Sequence, residues 1–168
     1  MRAKLLILDL DMTLWDCPDI SLATPPFRRV GEGVAVDAEG TVVRLRECVM
    51  ELLSRAKSLG VKLAVASWNL REPAEGALEA LGVKEFFDVI VVEPHPRKEE
   101  MVKSILEALS LRPEDAVFID DNAGMVERVK RSHPGIVALR FGEDITSFCE
   151  LLERLEGSSA ESFHGVRG

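Results

Sequence analysis

Residues 4–15 read KLLILDLDMTLW. Leu5, Leu6, Ile7 and Leu8 form an apolar run of strand length that stops at Asp9 and Asp11. A short apolar run bounded by polar residues is the signature of a strand buried on both faces, as in a parallel sheet. Residues 4–10 are therefore expected to form a central strand that delivers two carboxylates to its carboxyl end.

Outward from this stretch, helical and strand patterns alternate. Val49, Leu52, Leu53, Ala56 and Leu59 follow helical spacing, and Gly60 supplies a stop, so a helix is expected over 45–59. Strands are expected over 61–66, 88–92, 116–119 and 136–139. Helices are expected over 72–81, 98–109, 123–131 and 145–155, with Pro73 in the first turn of one and Gly82 after it. This alternation predicts an α/β fold: a three-layer, doubly wound parallel sheet with helices on both faces. In such sheets the ligand site lies beyond the carboxyl ends of the strands.

Two segments break the rhythm. Residues 12–44 contain Pro18, Pro25 and Pro26, then alternating Val34 and Val36, a turn at Asp37-Ala38-Glu39-Gly40, and Val42. This is read as an insertion forming a small β-hairpin flap, with no large cap domain; the hairpin over 33–44 is the one element long enough to overhang the strand ends. Residues 157–168 are rich in Gly and Ser and are expected to be a mobile tail, leaving one domain over 1–156.

Composition narrows the function. A formal net charge of -8 argues against a nucleic-acid partner, which needs a basic surface. No apolar run approaches the roughly 18 residues that span a bilayer, and no signal-peptide pattern is present, so no membrane partner and a cytoplasmic location are expected. Cys17, Cys48 and Cys149 are odd in number and far apart, which reads as no disulfide, with Cys48 and Cys149 as small buried hydrophobes in helices. The absence of glutamine and the presence of only two asparagines is a bias shared with thermophile proteins.

Polar groups recur at the strand ends: Asp9 and Asp11, then Ser67, then Lys98, then Asp120-Asp121-Asn122. Each alone has a plain structural reading, as a cap, a turn or a solvated charge. Together they suit phosphoryl transfer. A carboxylate such as Asp9 can attack phosphorus and form an acyl phosphate. Two anions repel, so a hard divalent cation on oxygen ligands is called for, and Asp9, Asp120 and Asp121 are the available ligands. Lys98 can hold Asp9 and the phosphate together, Ser67 can donate to a phosphate oxygen, and Asp11 can give and take a proton.

The set DLDMT, Ser67, Lys98 and IDD resembles the four motifs of the haloacid dehalogenase superfamily. LDLDMTLW, the Pro25-Pro26-Phe27 segment, the hairpin to Val43 and FIDDN further resemble the magnesium-dependent phosphatase-one family, over residues 4–139. The resemblance implies a phosphoaspartate mechanism with Asp9 as nucleophile and Asp11 as acid/base, and Ser67 and Lys98 on the phosphate. It places Mg2+ on Asp9, the Asp11 backbone carbonyl and Asp120, with Asp121 beside it or ligating through water. It also implies phosphorylated substrates, small molecules or phosphoproteins, with protein phosphotyrosine and sugar phosphates as the classes the family suggests. Trp68 and Asn69, directly after Ser67, depart from the pattern and put bulk next to the phosphate, as does Arg97 before Lys98. Trp68 and Asn69 are thus candidate substrate contacts, along with Trp15, Arg28, Arg29 and Arg97. A phosphotransferase or mutase on the same chemistry, or a non-catalytic binding module, are the alternatives. A mutase must exclude water, for which a flap alone is poorly suited.

Overall fold

The computed structural model describes residues 3–157; the expected mobile tail, apart from Gly157, lies outside the described residues. In chain order the elements are β1 (Leu5–Leu8), β2 (Arg28–Gly31), β3 (Val34–Val36), β4 (Val42–Arg44), α1 (Val49–Ser58), β5 (Lys62–Trp68) and α2 (Arg71–Ala80). They continue as β6 (Val89–Glu93), α3 (Lys98–Leu109), β7 (Ala116–Asp120), α4 (Ala123–Ser132), β8 (Val137–Arg140) and α5 (Phe148–Glu156).

Five strands pair in parallel in the order β6-β5-β1-β7-β8. The period-2 pleat of each strand divides its side chains between two cores. Leu6 and Leu8 face one cluster with Leu63, Val65, Val117 and Ile119, covered by apolar faces of α1, α2 and α5. Leu5 and Ile7 face the other with Ala64, Ala66 and Phe118, covered by α3 and α4. This is the three-layer arrangement expected from the unbroken apolar run of β1. Each fully buried leucine in these layers contributes roughly 1.5–3 kcal/mol. The chain winds from β1 outward to β6, then crosses back to β7 on the other side of β1. The ends of β1 and β7 thus flank a switch point, where α/β sheets bind ligands.

Local differences from the expected elements have physical causes. Helix α1 begins at Val49, because Cys48 is left-handed at φ 67° and Leu45 pairs with Trp15 in an isolated bridge. Helix α5 begins at Phe148, where the Ser147 hydroxyl accepts the Cys149 N–H. Strand β5 runs on through Ser67 and Trp68, which pair with Val92 and Glu93 of β6. The flap is a three-stranded antiparallel sheet, β2-β3-β4, rather than a bare hairpin. The pattern missed β2 because all four of its residues are exposed and show no apolar alternation.

The disulfide expectation is corrected: Cys48 and Cys149 are bonded, with Cα atoms 5.1 Å apart. They are 101 residues apart in sequence, so only the packing of α1 against α5 could bring them together. Cys17 is free and buried. No helix among the described residues is long and apolar enough to cross a membrane.

Candidate active site

The strand ends bring the predicted residues together. Asp9 follows β1, Asp120 ends β7, and Asp121 starts the turn into α4. These three offer carboxylate oxygens that all lie within 4.8 Å of one another. Lys98, the first residue of α3, reaches under them. Its Nζ donates to Asp9 Oδ1 at 2.9 Å and to Asp120 Oδ2 at 2.5 Å. A cation at a helix N-terminus opposes the helix dipole. The side chain is only 2% exposed, so the two carboxylates must supply what the helix and the lost water do not.

The remaining oxygens are also tied. Thr13 Oγ1 lies 2.9 Å from Asp9 Oδ2 and 3.2 Å from Asp121 Oδ1, with one proton to give to either, and accepts the Asp121 N–H at 3.0 Å. Asn122 N–H donates to Asp120 Oδ1 at 2.9 Å, and the Asn122 side chain caps α4 through Met125 N–H. The capping reading therefore holds for Asn122, while Asp120 and Asp121 lie beside Asp9.

Three clustered carboxylates stand beside one ammonium, which bonds two of them, and the electrostatics register the surplus. Burial, then the charge of Asp9, pushes the Asp120 carboxyl up, against the opposing pull of Lys98. Burial and Asp9 also push Asp121 up. Burial disfavours the Lys98 charge, yet Asp9 and Asp120 outweigh it and hold the ammonium above its ordinary range. A buried all-oxygen cluster with excess negative charge is a fit for a hard divalent cation.

Asp11 is held apart from this cluster by its own shell. Its Oδ1 accepts the indole N–H of Trp15 at 2.8 Å, and both oxygens lie 3.2 Å from the Ile20 N–H. Asn69 Nδ2 donates to Oδ2 at 2.6 Å, while Asn69 Oδ1 accepts the Leu70 N–H at 2.7 Å. Burial pushes the Asp11 carboxyl up to about 6, with the Trp15 and Ile20 bonds resisting and the charges of Asp9 and Asp19 adding to the rise.

Asp9, Asp11, Lys98, Asp120, Asp121 and Asn122 line a cavity of about 540 Å³ at the strand ends. Ser67 lines it from β5, almost fully buried; Trp68 lines it with its ring exposed. Asn69 also borders it, but its amide is engaged with Asp11. Trp15 is fully buried, as packing under the insertion requires, and at the same time orients Asp11. Arg28, Arg29 and Arg97 do not line the cavity; Arg97 pairs with the exposed Glu100. No residue of β2, β3 or β4 lines it either. The wall on that side is the loop carrying Met12, Pro18, Asp19 and Ser21, so the hairpin does not overhang the site as expected. The stretch between β6 and α3, residues 94–97, is a short loop with no room for a second cap.

Sequence reasoning gave no role to Thr13, Arg46 or Arg140. Arg46 Nη2 donates to the Met12 carbonyl at 3.0 Å, and Arg140 Nε to the Asp121 carbonyl at 3.3 Å. Thr13 stands inside the DLDMT motif, and its position there was the available signal. The two arginines left none, because their targets are backbone carbonyls far away in sequence.

Comparison with known proteins follows the same lines. The family model of the acid phosphatases matches residues 2–142. Human magnesium-dependent phosphatase 1 is 29% identical over 152 residues, covering 89% of this chain and 85% of that protein. Pyrophosphatase PpaX of Bacillus cereus is 32% identical over 93 residues, covering 51% of this chain and 42% of that protein, so the match spans less than half of its length. Among solved structures, a Bacteroides fragilis phosphatase domain complexed with Mg superposes with a TM-score of 0.62 at 23% identity, over 85% of this chain and 37% of that one. A phosphatase of the haloacid dehalogenase superfamily from Thermococcus onnurineus gives 0.60 at 19%, over 68% and 60%. These two similarities bear on the fold. With the family model spanning β1 to the end of β8, the chain belongs to the acid phosphatase family, within the haloacid dehalogenase superfamily.

Proposed function

We propose that the chain hydrolyses phosphomonoesters with magnesium, through a phosphoaspartate formed on Asp9. The observation that carries this is the convergence of Asp9, Asp120 and Asp121 within 4.8 Å, with Lys98 bonded to two of them, at the switch point of the sheet. Membership of the acid phosphatase family and likeness to a magnesium-dependent human relative support it.

Asp9, Asp120 and Asp121, with the Asp11 backbone carbonyl, would hold the ion. Bound there, magnesium supplies the positive charge that lets the Asp9 carboxylate approach an anionic phosphoryl group. In the first half-reaction an Asp9 oxygen bonds to phosphorus, the bond from phosphorus to the ester oxygen breaks, and Asp11 gives that oxygen a proton. In the second, water bonds to phosphorus, Asp11 takes its proton, and the bond to Asp9 breaks to free phosphate. Lys98 and Thr13 hold Asp9 from its two oxygens, so little reorganisation is needed as the charge moves. Ser67 faces the phosphoryl oxygens from β5. Asn69, Trp15 and the Ile20 N–H keep the Asp11 carboxyl aimed. The domain carrying this chemistry is read as residues 1–156. Phosphotyrosine and sugar phosphates are the substrate classes to assay first.

The test is phosphate release from an aryl phosphate, with magnesium and with chelator, by wild type and Asp9→Asn. Magnesium-dependent release is expected, lost by at least about a thousandfold in Asp9→Asn, as for removal of a covalent nucleophile. Acid quenching should trap one phosphoryl group on the peptide carrying Asp9. Full activity in chelator, or in the variant, would overturn the mechanism.

A further inference from the structure

The floor and the rim of the cavity differ in chemistry. Six large apolar side chains are exposed among the described residues, and three of them, Met12 (38%), Trp68 (54%) and Leu70 (50%), line this one cavity. Pro94 and Met125 add further carbon. Exposed apolar groups gathered at one opening mark a contact surface for something that brings its own apolar face.

The charges around the opening say what that partner lacks. Lys98 is the one basic side chain lining the cavity among the described residues, and its bonds go to Asp9 and Asp120. Asp19 adds a carboxylate on the insertion side. The arginines near the site are turned to other partners: Arg97 to Glu100, Arg128 to Glu99, Arg46 to the Met12 carbonyl and Arg140 to the Asp121 carbonyl. A second phosphate on a substrate seated by its first would meet carbon, the Asp19 carboxylate and the neutral side chains of Ser21 and Asn122, with no cation to receive it. Desolvating an unpaired anion there is costly, and a site can select by that penalty as much as by attraction.

Resting on the phosphomonoesterase reading, we infer that the substrate carries a single phosphoryl group on an uncharged, flat apolar alcohol or phenol, which lies against Trp68, Met12 and Leu70. Trp68 is the specificity-determining residue. Bisphosphates and inorganic pyrophosphate are rejected, unlike what the name of the Bacillus cereus relative states for that protein. A ring on an exposed indole gains both buried area and stacking, enough to shift relative rates about tenfold.

Two measurements test this in excess magnesium. The first compares kcat/KM for 2-naphthyl phosphate, glycerol 2-phosphate, fructose 1,6-bisphosphate and pyrophosphate in wild type and Trp68→Ala. Naphthyl phosphate should lead, the two doubly phosphorylated compounds should trail by at least about a hundredfold, and the naphthyl-to-glycerol ratio should fall about tenfold in Trp68→Ala. A peptide whose side chain carries the phosphorylated naphthol, in place of the free ester, tells whether the ring comes from a small molecule or a protein. The second measurement is calorimetric binding of phenylphosphonate against 3-phosphonopropionate, which needs no turnover. Phenylphosphonate should bind at least about tenfold tighter, and Trp68→Ala should close the gap. Hydrolysis of fructose 1,6-bisphosphate as fast as naphthyl phosphate, with ratios unmoved in Trp68→Ala, would overturn the inference and leave the phosphatase reading standing. Trp68-dependent preference for phenylphosphonate with no release from any ester would do the reverse.

Discussion

The Thr13 hydroxyl stands between two carboxylates and receives the Asp121 N–H, so one oxygen joins the β1 loop to the β7 loop. Thr13→Val keeps the shape and removes every one of these bonds. An orphaned buried N–H costs about 1–3 kcal/mol, so this part-buried one costs less than that, and the two loops should also lose their register. A lower Tm and a lower kcat are expected, with Thr13→Ser restoring most of both. Lys98 calls for a different experiment. Removing one partner of a buried ion pair costs about 3–5 kcal/mol, because the other partner stays charged and dry. Lys98→Met leaves Asp9 and Asp120 facing each other without an ammonium, so it should be less stable than wild type in chelator. Magnesium should then recover more Tm in the variant than in wild type, by binding only the folded form. Equal magnesium responses would mean that the ion does not sit among these carboxylates.

At the scale of elements, the insertion depends on one buried carboxylate. Asp37 Oδ1 accepts the N–H groups of Glu39 and Thr41 at 3.0 and 2.7 Å, and Oδ2 accepts that of Thr24 at 2.8 Å. It closes the β3–β4 turn and ties that turn to the segment before β2. The bond from Thr24, aided by those from Thr41 and Glu39, holds its carboxyl below the ordinary range. A folded-state pKa below the unfolded one stabilises above the unfolded value, about 3.9, and the gain is lost as pH falls through the folded value. Asp37→Asn turns a donor toward Thr24 N–H. The variant should therefore melt lower than wild type at neutral pH, and the two curves should converge in strong acid. A gap in Tm that stays constant to the lowest pH would show that the carboxylate charge plays no part.

At the scale of the whole molecule, the disulfide joins the start of α1 to the last helix. Closing a loop of 101 residues restrains the unfolded chain, by up to about 4.7 kcal/mol in the entropy model and more commonly 2–4. Beside it, Phe148 stacks on Phe141 at 5.0 Å, and the Arg46 guanidinium lies over Phe141 at 5.3 Å while bonding the Met12 carbonyl. The C-terminal helix is thus in contact, through three side chains, with the loop that carries Asp11. Cys149→Ser should lower the Tm by several degrees, and reductant should do the same to wild type but not to the variant. A reducing cytoplasm opens most disulfides, so the redox state of this pair in cells bears on the cytoplasmic expectation as well.

Sequence alone determined the layers and the floor of the site. An unbroken apolar run ending in Asp9 means a strand buried on both faces, and periodicity is local, so it can be read residue by residue. Asp9, Ser67, Lys98 and Asp120 were legible because each sits at or next to a strand or helix end, where the parallel sheet forces them toward one edge. Tertiary structure alone decided what lies between elements. It bonded Cys48 to Cys149, put Arg46 and Arg140 on backbone carbonyls, gave Asn69 to Asp11, and made the wall from the Met12–Ser21 loop instead of the hairpin. Those contacts join positions tens of residues apart and have no period, so their signal exists only once α1 has packed on α5 and the strand ends have met.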